Sequence, residues 1–280
     1  MSKQSNSRDA ILARLRAKGE QGQPIIGAGA GCGLSAKAAE MGGVDLLVIY
    51  NSGRYRMAGR GSLAGFMPYG DANAIVMEMA GEVLTVVEHT PVLAGVCGTD
   101  PFRNMEVFLR QVQEIGFAGV QNFPTVGQFD GIFRENLEAT GMPYSLEVEM
   151  IRLARERGLL TTPYCFNEDE AEQMAGAGAD IVVAHMGLTT KGTIGAHAAL
   201  SLEEAADRVQ RIADAAHAVH GEILVICHGG PIAEPEDAAF IFERTKNIAG
   251  FYGASSIERL PAERAIRDQV LQFRNLKLTV

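Results

Sequence analysis

Residues 146–185 read LEVEMIRLARERGLLTTPYCFNEDEAEQMAGAGADIVVAH, and this stretch decides the fold class. It opens as a helical pattern over 146–158 that ends on Arg155, Arg157 and Gly158. A basic last turn and a glycine stop suit a helix C-terminus. A short apolar run follows at 159–164. Asn167 then stands as a natural N-cap for a second helical pattern, 167–176, with Glu168, Asp169 and Glu170 in its first turn. The stretch closes on IVVAH, 181–185. A strand covered by helices on both faces reads as a continuous apolar run, so strand and helix alternate here in a parallel sheet.

The same alternation extends in both directions. Eight apolar runs occur in order, at 24–28, 44–50, 92–96, 119–123, 159–164, 181–185, 223–228 and 250–254. Helical patterns fill the intervals, among them 100–116, with Pro101 early and Gly116 last, and 201–219, with Ser201 as its cap. Open doubly wound sheets stop at about five or six strands. Eight runs in one uninterrupted series predict an α/β chain folded as a single (β/α)8 TIM barrel, one domain over 1–280. Ile11, Leu12 and Leu15 share one face of an extra N-terminal helix, 8–20, expected to cover the bottom of the barrel, with 1–7 flexible before it.

Composition narrows the partners. The net charge is −9, which argues against nucleic acid, because phosphate backbones demand clustered Lys and Arg. No apolar run reaches membrane-spanning length, and the polar start lacks a signal-peptide core, so a cytoplasmic protein off the membrane is expected. The four cysteines, Cys32, Cys97, Cys165 and Cys227, form no C-x-x-C pair, and reduced thiols are the simpler reading.

In barrel enzymes chemistry sits where strands run out into the following loops, which selects residues by position alone. Gly29 lies in GAGAGCG (27–33), where backbone N–H groups suit an anion or glycine merely lets the chain turn. Asn51, Arg54 and Arg56 lie in YNSGRYRMAGRGS (50–62); guanidinium forks match carboxylate and phosphate geometry. Asp100, in CGTDP, reads as a general base, an Mg²⁺ ligand or a helix cap. Asn122 and Thr125 offer neutral hydrogen-bonding groups, with Tyr164 and Asn167 ranked below them. His185, last in its run, suits proton transfer, metal ligation or the core. His228 opens HGGP with Gly229 and Gly230, and Gly253, Ser255 and Ser256 follow the last run. Barrel phosphate sites commonly use these final two loops. Long connections at 51–70, 124–143 and 187–200 read as binding loops or lids.

The runs YNSGRYRMAGRGSLAG, LAGVCGTDPF, GVQNFPTVGQFDG, VAHMGLTTKGTIGA and CHGGPIAEPEDA together resemble the phosphoenolpyruvate hydrolase-like family, also called TIM-barrel signal-transduction proteins, whose members carry the label phosphonopyruvate hydrolase. The resemblance covers nearly the whole chain, from about Arg8 onward. It implies kinship with the phosphoenolpyruvate mutase and isocitrate lyase group, Mg²⁺-dependent barrels acting on small 2-oxo acids. That group's several metal-binding carboxylates and Lys-Lys-Cys-Gly-His type loop have no counterpart here; YNSGRYR stands where such acids would be wanted. The expected function is a hydrolase or lyase acting on a small phosphorylated or phosphono 2-oxo acid. Arg54 and Arg56 would hold its carboxylate, the loops at Gly229–Gly230 and Ser255–Ser256 its phosphoryl group. Asp100 would hold Mg²⁺ or activate water, and His185 or His228 would move protons. No organic cofactor is expected, and a homo-oligomer is. The alternative is a small-anion-binding signalling barrel without turnover.

Overall fold

The computed structural model describes residues 7–197 and 200–278. Nine strands form its sheet: β1 Ile25–Gly29, β2 Leu46–Ile49, β3 Val92–Val96, β4 Gly119–Asn122, β5 Leu160–Thr161, β6 Tyr164–Cys165, β7 Ile181–His185, β8 Leu224–His228 and β9 Gly250–Gly253. Their order is β5-β4-β3-β2-β1-β9-β8-β7-β6, and every pairing is parallel.

The expected fifth run is therefore two strands. Thr162 and Pro163 separate β5 from β6, and proline brings no N–H to a ladder. Thr162 N–H still donates to the Val120 carbonyl at 3.0 Å, while the Pro163 carbonyl accepts from Val183 N at 2.8 Å. The chain thus leaves the β4 side and joins the β7 side within one short stretch, and the two ends of the curled sheet meet there. The fold is TIM-barrel-like.

Strand residues such as Leu47, Leu93, Val120, Val183 and Ile226 are fully buried, as the continuous apolar runs require when helices cover the outside. The helix at Leu202–Val219 starts on a capping box between Ser201 and Glu204, which satisfies end N–H groups that the helix itself leaves free. At the opposite end of the strands lies the helix Arg8–Glu20, burying Ile11, Leu12 and Leu15. Its Arg8 meets Asp180, just before β7, at 2.5 Å, and its Lys18 meets Asp45, just before β2, at 2.5 Å. Residues 1–6, most of the stretch expected to be flexible, lie outside the described residues.

Two of the long connections carry structure of their own. Residues 51–70 contain a helix, Asn51–Met57, and a 3₁₀ turn, Ser62–Phe66. Asn51 Nδ2 donates to the Gly65 carbonyl at 2.8 Å and Ser52 Oγ to the Ser62 carbonyl at 2.6 Å, so tertiary contacts fix a segment whose glycines give it little intrinsic preference. The helix Gly131–Ala139 does the same within 124–143.

Candidate active site

The C-terminal ends of the strands enclose a cavity of about 200 Å³. Tyr50 follows β2, Tyr164 begins β6, His185 and His228 end β7 and β8, and Ser255 follows β9. Arg56 reaches in from the helix after β2, and residues 61–63 and 187–196 supply the roof.

The two histidines are fixed by backbone groups in opposite senses. His228 Nδ1 lies 2.6 Å from the Tyr252 carbonyl. A carbonyl only accepts, so this nitrogen carries the proton and Nε2 keeps its lone pair. His185 Nδ1 accepts from Gly187 N–H at 2.9 Å, which leaves the proton of the neutral ring on Nε2. The ring centroids stand 4.5 Å apart at 85°. Tyr164 stacks on His228 at 5.2 Å and meets His185 edge-on at 4.7 Å, and Phe166 covers the other side of His185 at 4.6 Å. Burial in this aromatic cage pushes His185 well below the usual imidazole range and His228 down to about 4. Both rings are neutral at pH 7.

That shift has a consequence for stability. The unfolded chain protonates its His228 near pH 6.5, the folded chain only near 4. Between those values the unfolded state binds more protons, so His228 contributes stability above pH 6.5 that is lost as pH falls through 4. The expected loss is about 3 kcal/mol. Urea unfolding of the native chain and of His228→Asn between pH 7 and pH 4 checks it. The native curve should fall more steeply by that amount; parallel curves would refute the buried neutral ring.

Arg56 is fully buried and donates from Nε at 2.8 Å and from Nη2 at 2.5 Å to Glu258 Oε2. Glu258 Oε1 in turn accepts from Gly31 N at 2.5 Å and from Ser35 Oγ. Burial works against the guanidinium charge, but Glu258 outweighs it and raises the Arg56 pKa. Nη1 makes no carboxylate contact, and Arg56 lines the cavity. Arg259, also on the cavity wall, bonds Glu263 at 3.0 Å and the Lys191 carbonyl at 3.1 Å. The Tyr164 hydroxyl is enclosed without a hydrogen-bond partner, as is Gln128 Oε1. Buried polar atoms of this kind call for a partner, and both residues line the cavity.

Of the residues expected from the sequence, Arg56, His185, His228 and Ser255 meet in this cavity. The others are engaged elsewhere. Arg54 turns outward to Glu78 at 2.7 Å, so its guanidinium is satisfied by a neighbouring acid. Asn51 holds the 62–66 turn. Gly29 lies behind Tyr50, and a Cβ there would stand 2.8 Å from the tyrosine hydroxyl. Asn122 Nδ2 donates to Glu147 at 2.6 Å while its Oδ1 accepts from Tyr164 N at 2.7 Å. Thr125 accepts from Gly127 N at 3.0 Å. Both frame the buried Glu147, whose carboxyl burial pushes up to about 7. Gly229 and Gly230, at φ +78° and +59°, turn tightly against the Gly187 and Met186 carbonyls. Gly230 N donates to Gly187 and its carbonyl accepts from Thr190 N, so this turn braces the loop above the cavity rather than cradling a phosphoryl group. Gly253 packs on Ile257, and Ser256 faces an apolar hollow outside the sheet.

Asp100 also departs from expectation. Its oxygens accept from Asn73 Nδ2 at 2.9 Å, Phe102 N at 3.0 Å and Arg103, and the helix that follows is capped by Asn104 instead. No carboxylate lines the cavity. Among the described residues no group of three or more His, Cys, Asp or Glu is placed to hold a metal ion. Mg²⁺ takes carboxylate and water oxygens, so a wall of two arginines, two histidines and hydroxyls does not fit it.

Sequence reasoning passed over Tyr50 and Arg259 and ranked Tyr164 low. Tyr50 and Tyr164 were accessible as hydroxyl-bearing residues at the ends of apolar runs. Arg259 had no local signal, because only the return of the helix root to the loop at Lys191 brings it inward.

A curled parallel sheet with a polar cavity at its C-terminal strand ends defines a TIM-barrel-like α/β protein. Solved structures agree on the fold: oxaloacetate acetylhydrolase (TM-score 0.60, 17% identity, covering 96% of this chain and 88% of that one). Phosphoenolpyruvate phosphomutase from Streptomyces platensis subsp. rosaceus is comparable (TM-score 0.58, 19% identity, 94% and 86%), as is 2,3-dimethylmalate lyase, titled a member of the PEP mutase/isocitrate lyase superfamily (0.59, 16%, 94% and 87%). The chain belongs to the phosphoenolpyruvate hydrolase-like family, whose model matches residues 10–276. It is 63% identical over 271 residues to the ToMV resistance protein Tm-1(GCR237) of Solanum lycopersicum and, equally, to the ToMV susceptible protein tm-1(GCR26). These matches cover 97% of this chain and 36% of each relative, so the chain spans about a third of their length. No helix among the described residues is long and apolar enough to cross a membrane.

Proposed function

We propose that the chain is a hydrolase or lyase for a small phosphorylated or phosphono 2-oxo acid of the phosphonopyruvate or phosphoenolpyruvate kind. Its scaffold is then one (β/α)8 domain in which β5 and β6 count as a single broken strand. One observation carries the reading: two neutral histidines of opposite tautomer face one small cavity beside a buried arginine. The volume suits an anion of few heavy atoms, and guanidinium edges at Arg56 and Arg259 suit its carboxylate and phosphoryl oxygens. The four cysteines are free, in keeping with a reducing cytoplasm.

With phosphonopyruvate, water adds to phosphorus while His228 Nε2 takes one of its protons. The carbon–phosphorus bond breaks, and its electron pair passes into the enolate of pyruvate. His185 Nε2–H and the Tyr164 hydroxyl donate hydrogen bonds to the enolate oxygen, in a dry site where such donors act strongly. His228 then returns the proton to the enolate carbon, giving pyruvate and phosphate with both rings neutral again. No step needs a metal, in line with the donor set of the wall.

Incubation of the chain with phosphonopyruvate or phosphoenolpyruvate in EDTA, followed by ³¹P NMR, tests this. Phosphate release undiminished by the chelator is expected; release that appears only on adding Mg²⁺ would overturn it. The absence of any cavity carboxylate also favours a second reading, a binding barrel without turnover. Stoichiometric binding with no product after a day would select that one.

A further inference from the structure

The C-terminal helix, Arg259–Arg274, buries only its first two residues, Arg259 and Leu260. Every described residue from Arg264 onward is exposed. Ile266, Val270 and Phe273 are 68%, 59% and 67% exposed. Their spacing of four and then three places them on one face, which makes an apolar stripe with nothing against it. An isolated helix of this length is marginal in water, and an apolar stripe needs a surface to cover it.

The sheet has the opposite shortage. Outside β1 and β9 lie two apolar hollows of about 500 and 350 Å³ that share Ile26 and Ile257. The first is walled by Leu34 and Ala38 of the helix Gly33–Met41, the second by Ala238 and Phe242 of the helix Pro235–Arg244. The C-terminal helix follows β9 directly, where the covering helix of this face belongs, yet nothing beyond its Ala265 lines either hollow. Leu34 and Met41 stand 80% and 81% exposed beside them.

We propose that two copies of this chain exchange their C-terminal helices, each helix lying over the uncovered β1–β9 face of the other copy. One sequence supplies both a helix without a bed and a bed without a helix, so a two-fold pair satisfies both and leaves no open end. Charge agrees: the helix carries four arginines against two acids, while the whole chain stands at −9. The exchange also bears on the cavity. Glu258, which holds Arg56, immediately precedes this helix. Arg259 grips the Lys191 carbonyl, and Glu263 accepts from Thr193 N and Oγ at 3.1 and 2.7 Å. A helix anchored in a second copy therefore steadies the roof loop of the first. This holds whatever the cavity binds.

Light scattering of the full chain tests the assembly, with twice the chain mass of 29.9 kDa expected. The double variant Ile266→Glu/Phe273→Glu spoils the helix, and Ala38→Trp fills the bed. Each should give a folded monomer by circular dichroism. Mixing the two should restore dimer, because one retains a sound helix and the other a sound bed. In the monomers, hydrogen exchange at residues 187–196 should quicken. A monomeric native chain, a double variant that remains dimeric, or monomers that fail to pair on mixing would each overturn the exchange. Unchanged protection of 187–196 would overturn its link to the cavity.

Discussion

His228→Asn is expected to lower turnover of the oxo acid by about 10²–10⁴-fold, the range typical for removal of a general base. Asparagine keeps an N–H where His228 Nδ1 donates to the Tyr252 carbonyl, so the local fold is retained and only the lone pair of Nε2 disappears. The loss should fall on kcat and leave KM nearly unchanged, because the guanidinium groups that hold the anion are untouched. Turnover within threefold of the native chain would remove His228 from the chemistry. A loss confined to KM would turn it into a binding residue.

Arg56→Met is expected to destabilise the fold by about 3–5 kcal/mol, the usual result of removing one partner of a buried ion pair. The arginine and Glu258 side chains are 1% and 2% exposed. Without the guanidinium, the carboxylate keeps only Gly31 N and Ser35 Oγ, too little to offset its lost hydration. Adding Glu258→Gln should recover most of the loss, since a neutral amide still accepts from Gly31 and carries no stranded charge. Denaturant unfolding of the single and double variants measures both numbers. A single variant within 1 kcal/mol of the native chain would show that the pair is not held as described. The recovered double variant would still lack the guanidinium edge and should bind phosphonopyruvate poorly.

The strand pattern was legible because burial on both sheet faces writes itself as uninterrupted apolar runs, and IVVAH and LVICH end on the two histidines that matter. The break at Thr162–Pro163 was visible as a proline inside a run, but its meaning depends on which neighbour each half joins, and pairing partners are not local. Arg54 and Arg56 differ by two residues in one loop with the same composition around them. On the helix Asn51–Met57 they point about 200° apart, one to Glu78 on the surface and one to Glu258 in the interior. Once that segment is known to be a helix the two are separable; read as a loop, they are not. Asp100 stood at a strand end as a metal ligand should. Its neutralisation by Arg103 and Asn73 comes partly from a residue 27 positions away, which strand-end position alone does not register. The glycine turn at Gly229–Gly230 was expected to bind phosphate, and its positive φ values serve a close approach to the roof loop instead.

The most direct test is a long-range ¹H–¹⁵N NMR spectrum of the histidine-labelled chain at pH 7, before and after phosphonopyruvate is added. Two neutral rings should appear, His185 with its proton on Nε2 and His228 with its proton on Nδ1, and both Nε2 signals should move when the anion enters. Two rings of the same tautomer, a protonated ring, or an anion that binds without disturbing either one would contradict it.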